Sequence, residues 1–235
     1  MSSSLIIADL HLISGEADKT NLFIKFCQQQ ASQVDQLFIL GDLFNTWLGD
    51  DLSLNDYSKI IAELKTLSAT TKILVMTGNR DFLLGDEFAK QTGATLIDSP
   101  YLFESDAGQY VLTHGDELCT DDKGYQQLKS VLQHPITRFI FLRLPKKTRL
   151  NLAGKLRKKS VEAQQTKSRE IMDTNPDAVM ALMEKYPDTN LIHGHTHRLN
   201  THIERKFTRY VLGDWTNNAG NAIKLNGELS RLEIH

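Results

Sequence analysis

Five short stretches of this chain end an apolar run in residue types that can hold metal ions. They are Ile7-Ala8-Asp9-Leu10-His11, Leu40-Gly41-Asp42, Met76-Thr77-Gly78-Asn79-Arg80-Asp81, Leu112-Thr113-His114-Gly115-Asp116 and Leu191-Ile192-His193-Gly194-His195-Thr196-His197. Carboxylate, amide and imidazole together suit Mn²⁺, and also Fe²⁺ or Zn²⁺. In an extended segment residues two apart point the same way, so Asp9 and His11 can grip one ion together, as can His195 and His197. Asp42, presented where an apolar strand gives out at Gly41, can place one oxygen on each of two cations. Taken singly, the first four read as a turn, a capped loop or a satisfied core histidine, while the stretch from His193 to His197 reads as a metal site as readily as not. Their conjunction points to a dinuclear site.

Such a site needs strand ends brought side by side, and open α/β sheets hold their ligands at the carboxyl ends of strands. The first half alternates strand-like runs at 5–9, 36–41 and 72–77 with helical patterns near 20–33 and 54–67, and a short helix over 82–92 stops at Gly93. That alternation implies right-handed βαβ units with parallel pairing. Strands are expected at 94–97, 101–105 and 109–114, and again at 190–193, 199–204, 207–212, 221–225 and 228–234. Asn226-Gly227 is a hairpin signal for the last pair. Between these sets, residues 121–186 are helical in pattern and divided by Pro135, Pro145 and Pro176. The organisation expected is one domain over 1–235 with 121–186 inserted as a helical cap.

The 40% hydrophobic and 24% charged content is that of a globular chain and excludes disorder. The start is too short and uncharged for a secretory signal, and no run approaches a membrane span. Cys27 and Cys119 lie far apart, as free thiols in a reducing cytoplasm would. The net charge of −2 hides a segregation: residues 138–170 hold eleven Lys and Arg against Glu162 and Glu170, so this stretch carries +9 and the rest −11. One face therefore expects an anionic partner. Phe139, Ile140, Phe141, Leu142, Leu144, Leu150, Leu152 and Leu156 are interleaved with those cations, as in helices that lie in a membrane interface. The competing reading is a cap whose apolar residues pack on the core and whose charges are solvated. The two phenylalanines sit among aliphatics rather than on a polar stacking surface, which argues against nucleic acid. No protein partner is evident.

Asp-x-His, Gly-Asp, Gly-Asn-x-Asp and Gly-His-x-His in this order resemble the calcineurin-like metallophosphoesterases. The resemblance implies an α/β four-layer α/β/β/α sandwich and two Mn²⁺ per chain that activate a hydroxide. It implies one metal on Asp9, His11, Asp42 and His197, and another on Asp42, Asn79, His114 and His195. Where the wider family has histidine in Gly-Asn-His-Asp, this chain has Arg80. With Trp47, Gly49-Asp50-Asp51, Asp81-Phe82-Leu83-Leu84-Gly85 and Cys119-Thr120-Asp121-Asp122, that departure is similar to one subgroup, whose members cleave the pyrophosphate of UDP-2,3-diacylglucosamine in lipid A synthesis.

The subgroup implies catalytic roles for Asn79, Arg80 and His195, and substrate contacts at Asn79, Arg80, Asp122, Ser160, Gln164, Lys167 and His195, with Gln164 standing where asparagine is expected. It also implies work at the cytoplasmic face of the inner membrane of a Gram-negative-type bacterium. Arg80, always charged, can hold two phosphate oxygens. Asp81 is expected to orient His11 or His114 through a ring nitrogen, with His193 outside the ligand set. Two other classes compete: a metallophosphoesterase of different specificity, and a scaffold that kept the fold without the chemistry. Arg80 and the basic, apolar insertion weigh against the first, and the filled ligand positions against the second.

Overall fold

The computed structural model describes residues 2–166 and 171–235. Strands β1 (Ser4–Ile7), β2 (Gln36–Leu40), β3 (Lys72–Met76) and β4 (Thr95–Ile97) pair in parallel in chain order. The crossovers are α1 (Ala17–Gln29), then α2 (Asp50–Asp56) with α3 (Ser58–Leu67), then α4 (Asp86–Thr92). A second sheet holds β5 (Tyr101–Ser105), β6 (Gly108–Thr113), β7 (Asn190–His193), β8 (Asn200–Ile203) and β9 (Thr208–Val211) in the order β5-β6-β7-β9-β8. The C-terminal hairpin of β10 (Gly220–Asn226) and β11 (Glu228–Ile234) returns to the first sheet, antiparallel beside β1.

The two-residue period of the strands makes the layers. On β1, β2 and β3, Leu5, Ile7, Leu37, Ile39, Ile73 and Val75 face helices α1, α3 and α4, where Phe23, Phe26, Leu64 and Phe88 cover them. The alternate residues Ile6, Phe38, Leu74 and Met76 face the second sheet and meet Phe103, Tyr110, Leu112 and Ile192. Val111 and Leu191 point outward again, against Val179 and Met183 of α8 (Pro176–Met183). The result is the expected α/β/β/α sandwich. Phe38 is the wedge between the sheets, its ring 4.6 Å from that of Phe103, and burial of such a side chain stabilises by roughly 1.5–3 kcal/mol.

Among the expected boundaries that move, three do so for a tertiary reason. The strand expected over 5–9 ends at Ile7, because Asp9 adopts φ 56°, which no strand accommodates. The helix expected over 54–67 begins at Asp50 and breaks at Tyr57, whose ring packs 4.4 Å from that of Phe44 and whose hydroxyl donates to the Thr46 carbonyl at 3.2 Å. The helix expected over 82–92 starts at Asp86, because Asp50 caps it from a distance. The Asp50 carboxylate accepts from the backbone of Gly85 and Phe88 at 3.1 and 3.0 Å, and from Trp47 Nε1 at 2.9 Å.

Between β6 and β7 the chain makes α5 (Lys123–Leu132), α6 (Pro135–Arg143), α7 (Lys146–Thr166) and α8. Pro135 and Pro176 open their helices, where a missing N–H costs nothing. Polar ties fix this excursion. Asn175 Nδ2 donates to both oxygens of Asp121, closing its two ends on each other. Arg149, 2% exposed, donates to the Leu48 carbonyl at 2.7 Å and to Asp51 at 2.9 and 2.5 Å. Phe141 packs on the main core, while Ile136, Phe139, Ile140, Leu142, Leu150 and Leu152 stay exposed. Among the described residues no helix is long and apolar enough to cross a membrane.

Candidate metal centre

The strand ends deliver their side chains through a strained backbone. Among the described residues, non-glycine positive φ occurs at Asp9 (56°), His11 (49°), Asp42 (53°), Asp188 (60°), His195 (67°) and His197 (58°). Five of these are expected ligands, and each such residue costs about 1–3 kcal/mol unless its surroundings over-determine it. Here they do. Asp9 N–H donates to Gly41 O at 3.2 Å, His11 N–H to Asp42 O at 2.9 Å, and Leu12 N–H to Leu43 O at 2.9 Å, so the first two strand ends run on side by side. His195 N–H donates to Asp9 Oδ2 at 2.7 Å, tying in the last. Glycine is required where these loops cross: a Cβ on Gly78 would collide with Asp42 Oδ1, and one on Gly194 with Asp9 Oδ2.

Two groups of donors result. Asp9 Oδ1 lies 3.4 Å from His197 Nε2 and 3.9 Å from His11 Nε2, and those two ring nitrogens are 3.0 Å apart. On the other side Asn79 Oδ1 lies 3.1 Å from both His114 Nε2 and His195 Nδ1. Asp42 stands between, with Oδ2 3.6 Å from His11 Nδ1 and Oδ1 3.9 Å from His114 Nε2. Thus Asp9 and His11 do meet, but by left-handed turns rather than by extended alternation. The His195 and His197 rings do not turn to one partner, as spacing alone suggested they could: the first faces Asn79, the second Asp9 and His11.

The donor set fits divalent cations. Asp9 with His11 and His197, and Asp9 with Asp42 and His114, each bring one ligand atom apiece to within 4.8 Å of one another. Asp9 Oδ1 and His11 Nδ1 are buried without a hydrogen-bond partner, and buried polar atoms left in that condition call for a ligand. His114 Nδ1 donates to the Leu40 carbonyl at 2.8 Å, which leaves Nε2 as the coordinating nitrogen.

Electrostatics divides the centre. Burial pushes Asp42 up to about 7, aided by the Asp81 and Asp9 charges and opposed by His114. Burial disfavours the charged form of His114, yet Asp42, Asp9 and Asp116 outweigh it and raise the imidazole to about 9. His11 and His195 are each lowered to about 3, first by burial and then by the cations Arg80 and His114 respectively. Burial also lowers His193 to about 4. Its Nδ1 donates to Gly194 O at 2.9 Å, so it serves the backbone and stands outside the ligand set as expected.

Asp81 corrects one expectation. It orients neither His11 nor His114: its carboxylate accepts from the backbone N–H of Gly78 at 2.8 Å, Phe44 at 3.2 Å and Asp42 at 3.3 Å. It holds the Asp42 and Asn79 loops to each other. Arg80 lies beside Asp42, with Nε 3.6 Å from Asp42 Oδ2 and its backbone N–H 2.8 Å from Asp42 Oδ1. Asp122 begins α5 and caps it, accepting from Tyr125 N–H at 3.0 Å. Ser160 is exposed on α7, while the Gln164 side chain and all of Lys167 lie outside the described residues.

Sequence reasoning missed Asn45 and treated Arg157 only as one charge among many. Asn45 Oδ1 accepts from Arg80 Nη1 at 3.0 Å and from Arg157 Nη2 at 3.1 Å, so two guanidinium groups converge on Asn45. The available signal was the position of Asn45 in the loop that follows Asp42.

Residues 3–199 match the calcineurin-like phosphoesterase family model. The chain belongs to the calcineurin-like phosphoesterase family. Membership implies divalent-metal binding, and the donors just described could hold such ions. This phosphoesterase is 41% identical to a UDP-2,3-diacylglucosamine hydrolase from Shewanella loihica, over 96% of this chain and 93% of that one. It is 40% identical to one from Haemophilus ducreyi, over 96% and 97% respectively. In fold alone the phosphoesterase is similar to vacuolar protein sorting 29 from Cryptosporidium parvum, with TM-score 0.50 and 10% identity over 99% of this chain and 96% of that one.

Ligands must shed protons before a cation binds, so the raised values of Asp42 and His114 couple metal affinity to pH. Both groups hold protons more firmly than usual; affinity should therefore fall as pH drops from about 9 to about 6. Calorimetric titration with Mn²⁺ in buffers of different ionisation enthalpy should register net proton release at neutral pH. Proton-neutral binding would contradict the described charge pattern.

Proposed function

We infer that this phosphoesterase hydrolyses the pyrophosphate bond of UDP-2,3-diacylglucosamine to UMP and 2,3-diacylglucosamine 1-phosphate, a step of lipid A synthesis. Its similarity to two hydrolases of that name over nearly the full length supports the reading. The structural observation that carries it is Arg80, held against Asp42 at the metal-donor cluster beneath helices that are both cationic and outwardly apolar. A diphosphate linked to acyl chains needs both features at one place.

When bound, two divalent cations supply Lewis acidity and a nucleophile at neutral pH. Asp9, His11, Asp42 and His197 would hold one, and Asp42, Asn79, His114 and His195 the other; the mixed oxygen and nitrogen donors suit Mn²⁺. The protein's own contribution is charge placement. Arg80 is fixed by Asp42 and Asn45, which leaves donors for two phosphoryl oxygens and costs no reorganisation when charge builds on them. Asn79 and His195 stand on the same side, 3.1 Å apart, where they meet the substrate as well as the cation.

Residues 121–186 serve as a cap within a domain spanning 1–235, and Asp122, Ser160, Gln164 and Lys167 contact the substrate from it. The exposed Ile136, Phe139 and Ile140 beside Arg138 and Arg143 suit the anionic cytoplasmic face of an inner membrane, where acyl chains and headgroups are both present. Arg143 lies over the Phe139 ring at 3.3 Å, keeping cation and apolar face together.

Three measurements test this. Incubation of the Mn²⁺-loaded protein with UDP-2,3-diacylglucosamine in ¹⁸O-labelled water should yield UMP carrying the label; loaded protein that leaves the substrate intact would overturn the reading. Arg80→Ala should keep full metal content yet lose about 3–4 kcal/mol in kcat/KM, and an unchanged rate would remove Arg80 from the chemistry. Co-sedimentation with anionic vesicles should weaken as salt rises; binding that is absent or indifferent to salt would favour a cap with merely solvated charges.

A further inference from the structure

Asp116 stands two residues after His114, and the reading above gives it no task. The residue is 5% exposed. Its carboxylate accepts from Tyr125 Oη at 2.7 Å and from Lys129 Nζ at 2.8 Å. Gln126 Nε2 donates to the carbonyls of Asp116 at 2.8 Å and Cys119 at 3.1 Å. Three side chains from one stretch of α5 therefore hook onto a single turn of the His114 loop.

The hook matters because α5 has little else to hold it. None of its residues is fully buried, so apolar packing contributes weakly. A buried carboxylate, in contrast, demands its partners: charge-assisted hydrogen bonds are strong, and removing one partner leaves an uncompensated interior charge. The hook also reaches the metal centre. The Tyr125 ring lies 5.9 Å from the His195 ring, and the Tyr125 N–H is the one that Asp122 caps.

We propose that Asp116, Tyr125 and Lys129 form a clasp that sets α5 over the His114 and His195 side of the centre and so governs binding of the lipid nucleotide. This rests on the functional reading above. The three act as positioning residues: they seat the helix that carries Asp122, while the chemistry stays with the metal donors and Arg80. Loss of the tyrosine hydroxyl leaves its ring in place but frees one end of the helix.

The test compares wild type, Tyr125→Phe and Lys129→Met on two substrates, UDP-2,3-diacylglucosamine in mixed micelles and the small diester bis(p-nitrophenyl) phosphate, with bound metal measured for each. For both variants KM for the lipid nucleotide should rise about tenfold, the size expected for one charge-assisted hydrogen bond. Its kcat, the rate on the small diester and the metal content should all stay near those of wild type. Unchanged KM in both variants, or equal losses on both substrates together with lost metal, would overturn the clasp. Wild-type protein that cleaves the small diester but not the lipid nucleotide would instead overturn the functional reading, and the clasp's proposed role with it.

Discussion

Asp9, Asp42 and Asp81 lie together in the interior, each no more than 1% exposed, and the rest of the site is arranged to answer their charge. Carboxylates so placed raise one another's affinity for protons unless hydrogen bonds or cations compensate. Asp81 receives three backbone N–H groups. Burial would raise Asp9, yet the His197 ring close to its Oδ1 and the neighbouring His114 and His11 hold it below the usual carboxylate range. Asp42 has the His114 charge, the Arg80 backbone and a guanidinium at 3.6 Å, and burial still leaves it raised. Asp81 is raised by burial as well, but of the two it is Asp42 that stands between the donor groups, within 3.6 Å of His11 and 3.9 Å of His114.

That placement explains the local cost. Left-handed backbone at Asp9, His11 and Asp42 turns the side chains inward at the point where parallel strands would otherwise carry them apart. The loops interlock closely enough that Gly78 and Gly194 tolerate no Cβ, so the strain of one segment is held by the next. Two sheets joined by a buried apolar layer supply the stiffness that makes this arrangement affordable.

The helical excursion is built on a different principle. Arg149 on Asp51, Arg157 on Asn45, Asn175 on Asp121 and the Asp116 clasp fasten it by polar contacts, while much of its apolar surface faces outward. A helix layer that spends its hydrophobic side chains on the core would need fewer such ties. This one leaves Ile136, Phe139 and Ile140 exposed, and its attachment to the centre runs through directional bonds that single substitutions can release.

Much was legible before folding, because its physical basis is local. Apolar runs of period two marked the strands, as in Leu37 to Leu40, and donor type at each run's end marked Asp9, Asp42, Asn79, His114 and the histidines from 193 to 197. What spacing could not supply was which way each donor turns. His195 and His197 part company because their backbones are left-handed, and that conformation is held by a bond from His195 N–H to Asp9, 186 residues away. Asp81's hold on backbone, the break at Tyr57 and the late start of α4 share the same cause: a partner distant in sequence outweighs a local preference. The sequence by itself determined the strands, their order of ligand types and the segregated charge, since these follow from residue chemistry and near neighbours. Only the tertiary structure decided how the donors divide between the two groups, because that depends on hydrogen bonds formed after remote strand ends have met.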